Sequence, residues 1–477
     1  MTTTKTSRAK TAVSEAAPKR VSRSRKVSGD GLFRKPTQQL TDAEYTARYN
    51  DDRNWTGLGS EGGLSKDDNE NLARHMKLEG KPIREREGKL YYGASRKELQ
   101  PDLIRTKMAG HWSQIKNETR QRFQGEHMVE AMEAMYIALM FGMNAYVEGS
   151  SGIGKTAAMR FLCKLIDAPF AELQASADLS DLHIRGDIIP VSGMKYALDR
   201  GPMLTPGAVG IFVDEFPRIP STTTNVFLES MEFKQCTLSV PGREEASHTV
   251  LLSRNFFVMG AGNPRGYGGQ GERSLALWDR FRIGYNMHQP DSDARQQMYT
   301  EHQNSAGRHM LAPREEGRDE SVQVPPGFTF REVQAAASKV RVPDDLRLAL
   351  GAAAFAMTPK NFAERCGWET CGAYTAITTA ANFSRKRRAA LDKLRDLVEE
   401  NLIEGSNPRG ELAIIDNARA LRLMDQRTDS FDVNRTHMRK ALAYGVRSRL
   451  KTYPGCEGSV EEIIELTNTC FFPVDSR

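Results

Sequence analysis

The sequence predicts an α/β fold in which a central, mainly parallel sheet of five strands is followed by a helical domain. Five short apolar runs alternate with segments in which apolar residues recur at helical spacing, which is typical of a parallel sheet covered on both faces. From Phe328 to the end the pattern becomes helical and rich in alanine. The five apolar runs are Ala145-Tyr146-Val147, Phe170 to Leu173, Val209 to Val213, Asn255 to Met259 and Ile283 to Met287.

The composition is that of a soluble globular chain, with 39% hydrophobic and 27% charged residues among 477. This length predicts two or three domains. No run of about 18 apolar residues occurs, so we expect no membrane span, and the N-terminus lacks the apolar stretch of a secretory signal. Six scattered cysteines without a C-x-x-C pair favour reduced thiols in the cytoplasm over a disulfide or zinc framework.

Residues 1–40 form a basic tail that we expect to be disordered. Its first 35 residues hold ten Lys/Arg against Glu15 and Asp30, a net +8, which leaves about −2 for the rest of a chain whose total is +6. Three interpretations stay open: a solubilising tail, an electrostatic arm for nucleic acid, and an organellar transit peptide. We favour the first and rank the transit peptide lowest, because the apolar residues show little amphipathic order.

Changes of pattern give the remaining boundaries. Residues 41–122 stay polar and are interpreted as an accessory extension, with a hairpin predicted around Glu87-Gly88 and with Trp112 and Ile115 available to dock it. A methionine-rich apolar face over Gln124 to Met143 favours core packing over a promiscuous binding surface. The expected parts are therefore an α/β domain over 123–302, a linker over 303–327 and a helical domain over 328–477.

A glycine-rich loop lies between the first apolar run and a helical pattern. It reads Gly149-Ser150-Ser151-Gly152-Ile153-Gly154-Lys155-Thr156 and has the form G-x-x-x-x-G-K-[ST]. Successive backbone N–H groups of such a loop point into one concavity, with the positive end of the helix dipole behind them, so the pattern predicts a phosphate site. Lys155 would reach the β- and γ-phosphates, and the Thr156 hydroxyl would bind Mg²⁺.

Two later apolar runs end in polar residues that complete this prediction. Asp214 and Glu215 follow Val213 on the same expected sheet edge as the loop. Asp214 is predicted to hold water bound to Mg²⁺, and Glu215 to orient or deprotonate the attacking water. The next run ends at Asn263, whose amide is a candidate contact for the water or the γ-phosphate, although Asn-Pro alone is an ordinary turn.

In their order the motifs resemble those of the AAA+ ATPases, and within them the MoxR-like branch that also contains the ATPase subunits of metal chelatases. The resemblance is close over 123–300, loose over the C-terminal helices and absent from 1–122. Pro217 departs from the branch's usual Asn, and Gly266–Gly271 is unusually glycine-rich. The matching pieces are the glycine-rich loop, Val213 to Arg218 against D-E-I-N-R, Phe227 to Glu232 against L-L-E-A-M-E, Gly262 to Pro264 against Q-N-P, and Leu277 to Phe281 against L-D-R-F.

The resemblance implies further roles. Arg280 would be an arginine finger acting on the nucleotide of a neighbouring subunit, and Asn263 would be sensor 1. Arg409, in Ser406-Asn407-Pro408-Arg409, would be sensor 2 in a helical lid, with a plain solvated arginine as the alternative. A finger supplied by a neighbour implies a homo-oligomeric ring, expected to be a hexamer, that binds and hydrolyses ATP with Mg²⁺.

The resulting hypothesis is a cytoplasmic, Mg²⁺-dependent ATPase that remodels or activates a protein partner. Members of this branch commonly act with a protein that carries a von Willebrand factor A domain. The alternatives are the ATPase subunit of a cobalt or magnesium chelatase, and a nucleic-acid-stimulated motor or loader steered by the basic tail.

Two segments outside the motifs have open interpretations. Ile184 to Leu198 predicts a hairpin, whose tip residues Met194, Lys195 and Tyr196 either contact a substrate in a central pore or are solvated. Arg385-Lys386-Arg387-Arg388 either contacts nucleic acid or a partner, or is the cationic face of a long helix, which is the usual explanation.

Overall fold

The computed structural model describes residues 56–57, 65–86, 89–93, 98–123, 125–191, 195–240, 243–264, 275–290, 292–304, 323–368, 370–381, 383–427, 430–456 and 458–474. The basic tail, Met194 and the Gly266–Gly271 segment therefore lie outside the described residues, as does most of the 303–327 segment. The side chains of Lys195 and Tyr196 are likewise not described.

The elements that precede the central sheet are β1 (Thr56–Gly57), α1 (Lys66–Leu78), β2 (Ile83–Arg86), β3 (Lys89–Tyr92), α2 (Pro101–Arg122) and α3 (Glu126–Phe141). The hairpin predicted around Glu87-Gly88 is confirmed, and β1 extends it to three antiparallel strands. On α2, Trp112 and Ile115 are buried together with Ile104 and Met108, so this helix docks on α3 as expected.

The central part contains β4 (Ala145–Glu148), α4 (Lys155–Ile166), β5 (Ala171–Gln174), α5 (Asp181–Arg185), β6 (Gly186–Val191), β7 (Lys195–Arg200), β8 (Gly210–Asp214), α6 (Asn225–Phe233), β9 (Gln235–Val240), β10 (Arg243–Leu251), β11 (Phe257–Gly262), α7 (Leu275–Trp278), β12 (Ile283–Asn286) and α8 (Ser292–Asn304). Short 3₁₀ turns cover Pro202–Leu204 and Phe216–Arg218.

Five of these strands form one sheet in the order β12-β4-β11-β8-β5, and every pairing is parallel. The predicted five-stranded sheet is confirmed, and each apolar run overlaps one of its strands. The reason is visible in β8, where Ile211, Phe212 and Val213 are all buried, so both faces of the strand need apolar residues.

Two hairpins form separate antiparallel sheets beside the central one. β6 pairs with β7, which confirms the hairpin predicted over Ile184 to Leu198. β9 pairs with β10, and the two hairpins touch through β6 and β9. Arg185 joins them by donating to the carbonyl oxygen of Thr237 over 2.5 Å.

The C-terminal part contains α9 (Phe330–Ala337), α10 (Asp344–Ala356), α11 (Lys360–Arg365), α12 (Gly372–Thr379), α13 (Arg385–Asn401), β13 (Leu402–Glu404), α14 (Pro408–Met424), α15 (Arg435–Val446), β14 (Lys451–Thr452) and α16 (Ser459–Phe471). This confirms the helical pattern expected from Phe328, with one short antiparallel pair added. The described helices include none that is long and apolar enough to cross a membrane.

The apolar residues form two cores. The larger runs without a break from α2 and α3 through one face of the sheet to α16, and it includes Met128, Met132 and Met135. The methionine-rich face of α3 is therefore core, as expected. The smaller core lies under the hairpins and contains Phe216 and Trp278. The C-terminal helices share the larger core with the sheet and therefore pack against it. The domain boundary at 303–327 stays a prediction.

Candidate functional site

The glycine-rich loop joins the end of β4 to the start of α4. Gly152 and Gly154 have φ angles of 78° and 97°, in the left-handed region that residues with a side chain rarely adopt. A Cβ added at Gly149 would lie 3.0 Å from the carbonyl oxygen of Met287, so this glycine allows a close approach to the chain after β12. The loop therefore has the backbone form that lets successive N–H groups face one anion.

Lys155 donates back to the start of the glycine-rich loop. Its Nζ donates to the carbonyl oxygens of Gly149, over 2.7 Å, and Ser150, over 3.0 Å. Burial lowers the pKa of Lys155, and the carboxylates of Asp214, Glu215 and Glu148 act in the opposite direction. A phosphate has only to replace two carbonyl oxygens as the acceptor of this ammonium group.

Thr156 and Asp214 lie in direct contact at the start of α4 and the end of β8. The Thr156 hydroxyl donates to Asp214 Oδ2 over 2.7 Å, and Asp214 Oδ1 accepts from the backbone N–H of Glu215 over 2.9 Å. Hydroxyl and carboxylate oxygens are the ligands that Mg²⁺ prefers. The described residues contain no group of three or more metal-binding side chains.

Glu215 is held between two partners. Its Oε1 accepts from Asn263 Nδ2 over 3.3 Å, and its Oε2 lies 3.3 Å from Arg218 Nε. The backbone of Glu215 is left-handed, with φ 54°, a conformation that costs a non-glycine residue about 1 to 3 kcal/mol and that is common at functional sites. The structure thus brings together Lys155, Asp214, Glu215 and Asn263, which the sequence predicted as one site.

An aromatic cluster packs around Phe216, the first residue of the 3₁₀ turn that follows Glu215. Phe216 packs edge to face with Trp278 and Phe281, and Tyr146 joins the same cluster. Pro217 occupies a tight position, because a Cβ at Gly262 would lie 2.6 Å from its Cδ and 2.5 Å from the Tyr146 hydroxyl. Gly262, directly before Asn263, is therefore closely packed against Pro217, two residues after Glu215.

Arg280 and Arg409 lie elsewhere. Arg280 precedes β12, and β12 runs parallel to β4 with Ile283 opposite Ala145. It is therefore at the amino edge of the sheet, whereas the glycine-rich loop follows β4 at the carboxyl edge. Within one chain the structure does not bring Arg280 to the phosphate loop.

The two arginines share one carboxylate, that of Glu232 on α6. Arg280 Nε donates to Glu232 Oε2 over 3.0 Å, Arg280 Nη2 donates to the same oxygen, and Arg409 Nη2 donates to Oε1 over 3.1 Å. Arg280 is mostly covered and Arg409 is half exposed. The sequence predicts a nucleotide contact for both arginines but no role for Glu232, the last residue of the motif Phe227 to Glu232.

A cavity of about 510 Å³ adjoins these three residues. Its wall is strongly cationic, with seven Lys/Arg against three carboxylates. Burial and, to a smaller extent, the charge of Arg282 lower the pKa of Lys234 to about 8. Burial lowers the pKa of Arg449 to about 10. The charged lining residues are Lys234, Arg254, Arg280, Arg282, Arg409, Arg419 and Arg449, with Glu232, Asp279 and Asp416. The amino edge of the sheet therefore offers a surface suited to an anion.

Asn144 is a second residue that the sequence did not point to. Its Nδ2 donates to the carbonyl oxygens of Met231, over 3.3 Å, and Arg280, over 3.2 Å, and its Oδ1 accepts from Val258 N over 3.0 Å. Asn144 therefore links the end of α6, the backbone at Arg280 and the start of β11 through its hydrogen bonds. An asparagine directly before a core strand is only a weak signal in the sequence. The role of Asn144 becomes clear only from its contacts in the structure.

The basic cluster on α13 has a structural use. Arg387 donates through Nε to the carbonyl oxygen of Cys470 over 2.9 Å and lies over the Phe383 ring, and Arg388 donates to the carbonyl oxygen of Phe383 over 3.3 Å. These contacts favour the interpretation of Arg385–Arg388 as part of a helix face over a nucleic-acid contact. The six cysteines, all in the described part, are free thiols, as the sequence predicted.

The model of the ATPase family associated with various cellular activities (AAA), in its AAA_3 form, matches residues 144–283. Over 153 residues the chain is 33% identical to the uncharacterized protein YeaC of Bacillus subtilis (strain 168), covering 31% of this chain and 45% of YeaC. Over 165 residues it is 26% identical to Chaperone MoxR1 of Mycobacterium tuberculosis (strain ATCC 25618 / H37Rv), covering 34% of this chain and 41% of MoxR1. The chain thus spans less than half the length of these curated relatives.

The fold is also similar to the crystal structure of a candidate ATPase from Cytophaga hutchinsonii ATCC 33406. The TM-score is 0.54 at 17% identity, over 79% of this chain and 98% of that one, so this likeness concerns the fold alone. The family match begins at the entry to β4 and ends at the start of β12, and so includes the phosphate loop, Asp214, Glu215 and Asn263. Sheet, loop and family match together identify residues 144–283 as an ATPase domain of the AAA family, and this part of the chain is similar to Chaperone MoxR1.

Proposed function

We propose that the protein is a Mg²⁺-dependent ATPase that works as a homo-oligomeric ring and remodels a protein partner. One observation carries the catalytic part of this proposal. Thr156, Asp214, Glu215 and Asn263 converge beside Lys155 at the carboxyl edge of the sheet, through contacts of 2.7 to 3.3 Å. These are the groups that phosphoryl transfer to water needs: a phosphate cradle, ligands for a metal and a carboxylate beside the attacking water.

Each side chain has a separate task. The loop N–H groups and Lys155 bind the β- and γ-phosphates. Thr156 would hold Mg²⁺ directly and Asp214 would hold it through a bound water, and the ion would neutralise charge on these phosphates. Glu215 orients the attacking water and accepts its proton. Asn263 donates to one oxygen of Glu215, and Arg218 pairs with the other. Together they fix the orientation of the Glu215 carboxylate.

The position of Arg280 supports assembly. It lies at the amino edge of the sheet, next to a cationic cavity, and the loop of its own chain lies at the other edge. A second copy that places its amino edge against this carboxyl edge brings Arg280 and Arg409 to the nucleotide. An arginine supplied in this way is worth about 10³ to 10⁵ in rate. Repetition of the same contact closes a ring, with a hexamer as the expected size.

The remodelling role is supported by similarity to a protein named a chaperone, MoxR1. We propose a protein client, for which a protein with a von Willebrand factor A domain is the candidate of choice. The test is a capture experiment in which the Glu215→Gln variant, loaded with ATP and Mg²⁺, is used as bait. The Lys155→Ala variant, which we expect not to bind ATP, is the control.

Proteins enriched by the first bait and not by the second support an ATP-dependent client. The same proteins on both baits contradict it. Recovery of a large metal-inserting subunit would instead favour a chelatase, and recovery of nucleic acid a motor or loader. Sedimentation with ATP tests the ring directly, because we expect a single assembly larger than a dimer.

A further inference from the structure

We infer that Glu232 is a positioning residue, which aligns Arg280 and Arg409 side by side so that both meet one phosphate group of a neighbouring copy. This inference rests on the proposed function.

A guanidinium group carries five N–H donors. In Arg280 three of them are engaged: Nε and one hydrogen of Nη2 bind Glu232 Oε2, and one hydrogen of Nη1 binds the carbonyl oxygen of Ala276. Among the described residues, these contacts leave one hydrogen on each terminal nitrogen. A pair of donors on Nη1 and Nη2 suits bidentate binding of a phosphate. Glu232 therefore holds one edge of the guanidinium and leaves the outer end for a ligand.

Arg409 is held by the other oxygen of the same carboxylate, Glu232 Oε1. Without the Glu232 carboxylate the two guanidinium groups would repel each other, because like charges this close are unfavourable at a partly covered surface. With it they form one unit, in which two cations lie next to the anion-accepting cavity. The spacing between Arg280 and Arg409 thus depends on a residue that itself need not touch the nucleotide.

The backbone under this unit is fixed independently. Asp279 Oδ1 accepts from Asn407 Nδ2 over 2.8 Å, and the Asp279 carbonyl oxygen accepts from Arg449 Nη2 over 2.8 Å. Asn407 is also the N-cap of α14, the helix that carries Arg409 in its first turn. The two main-chain segments are therefore joined by Asp279, and what Glu232 adds is the alignment of the two side chains.

The test is the Glu232→Gln variant, which keeps the size of the side chain. Its amide turns one of two acceptors into a donor, so one arginine loses its partner. We expect kcat to fall about tenfold while the KM for ATP changes less than twofold, because the phosphate loop is untouched. Glu465→Gln is the matched control, since Glu465 pairs with Arg439 at the exposed surface of α16 and does not line the cavity. Its kcat should stay within twofold of the wild type.

Subunit mixing separates positioning from structural damage. A Lys155→Ala chain lacks nucleotide but offers an intact Glu232 and Arg280, so mixing it with the Glu232→Gln chain should give several times the summed activity of the separate chains. The Arg280→Ala chain mixed with Lys155→Ala serves as the reference and should reach a similar rate, which is a larger gain because Arg280→Ala alone is less active. If the reference gains activity and the Glu232→Gln mixture does not, or if Glu232→Gln alone has full activity, the inference is wrong while the proposed function stands. If the reference shows no gain, the proposed arrangement between subunits fails, and the inference fails with it.

Discussion

Asn263 and Glu215 meet where two neighbouring strands end, with Asn263 Nδ2 donating to Glu215 Oε1 over 3.3 Å. β11 ends just before Asn263 and β8 ends just before Glu215, and the two strands are paired in parallel. The orientation of the carboxylate is therefore set by the adjacent strand as well as by its own left-handed backbone. This pairing makes the catalytic assignment testable at two residues.

Replacement of Glu215 by glutamine should abolish turnover without preventing ATP binding. The amide cannot accept a proton from water, and a general base contributes about 10² to 10⁴ in rate. We expect the ATPase rate to fall at least a hundredfold, measured in a coupled phosphate assay, with an unchanged affinity in a titration with a fluorescent ATP analogue. Asn263→Ala should give a smaller loss. Glu172→Gln, which removes an exposed ion pair with Arg160, is the control and should have normal activity.

Thr156→Val should make the enzyme demand more Mg²⁺. The valine has nearly the shape of threonine but lacks the hydroxyl that contacts Asp214 over 2.7 Å. We expect the Mg²⁺ concentration for half-maximal ATPase activity to rise about tenfold, a change of about 1.4 kcal/mol in binding. Ser151→Ala, in the exposed part of the same loop, should leave it unchanged. An identical Mg²⁺ dependence in Thr156→Val would remove Thr156 from the metal site.

Gly262→Ala should damage both stability and activity. The new methyl group would lie 2.6 Å from Pro217 Cδ, two residues after Glu215, so the Phe216–Arg218 turn must shift. Overpacking of this kind costs about 1 to 3 kcal/mol, which urea unfolding measures. Gly351→Ala is the matched control, because its added Cβ meets no atom within 4 Å and lies inside helix α10. We expect this variant to be as stable as the wild type or more stable.

His437 should make the stability fall in weak acid. Its Nδ1 accepts from Asn434 N over 3.2 Å, its Nε2 lies 3.1 Å from Asp425 Oδ2, and it is 5% exposed. The neutral ring satisfies both contacts. Burial lowers its pKa to about 4 from the ordinary 6.5, against the opposing effect of Asp425.

Since this folded pKa lies below the ordinary value, the unfolded chain takes up the proton first, and stability decreases as pH falls from about 6.5 to 4. For one such group the loss between pH 7 and pH 5 is about 2 kcal/mol. Urea unfolding at the two pH values should show a loss that is about 2 kcal/mol larger in the wild type than in His437→Gln. The exposed His248 provides the control, and His248→Gln should behave as the wild type. Equal pH dependence in all three proteins would rule out His437 as its source.

The sequence predicted the sheet, and the position of Asp214 and Glu215 at its carboxyl edge, because both depend on local patterns. Strand β8 needs apolar residues on both faces, and Asp214 and Glu215 follow it directly, so parallel strands must bring them to the loop. The hairpin of β9 and β10 was not predicted, since polar residues interrupt both strands and neither contains a continuous apolar run.

The link among Arg280, Glu232 and Arg409 was beyond sequence reasoning for a different reason. Glu232 is 48 positions from Arg280 and 177 from Arg409, and no periodic pattern spans such distances. Only the packing of α14 against the chain before β12 brings these side chains together. Similarly, the polar composition of the 41–122 extension did not indicate how completely α2 enters the larger core.

The measurement that tests the central claim most directly is the ATPase rate of the Arg280→Ala protein at saturating ATP, with its ATP affinity and its assembly determined in parallel. The account predicts that this protein binds ATP and assembles normally, because Arg280 is remote from the loop of its own chain, and that its rate falls about a thousandfold or more. An assembled Arg280→Ala protein that hydrolyses ATP at the wild-type rate would contradict completion of the site by a neighbouring copy.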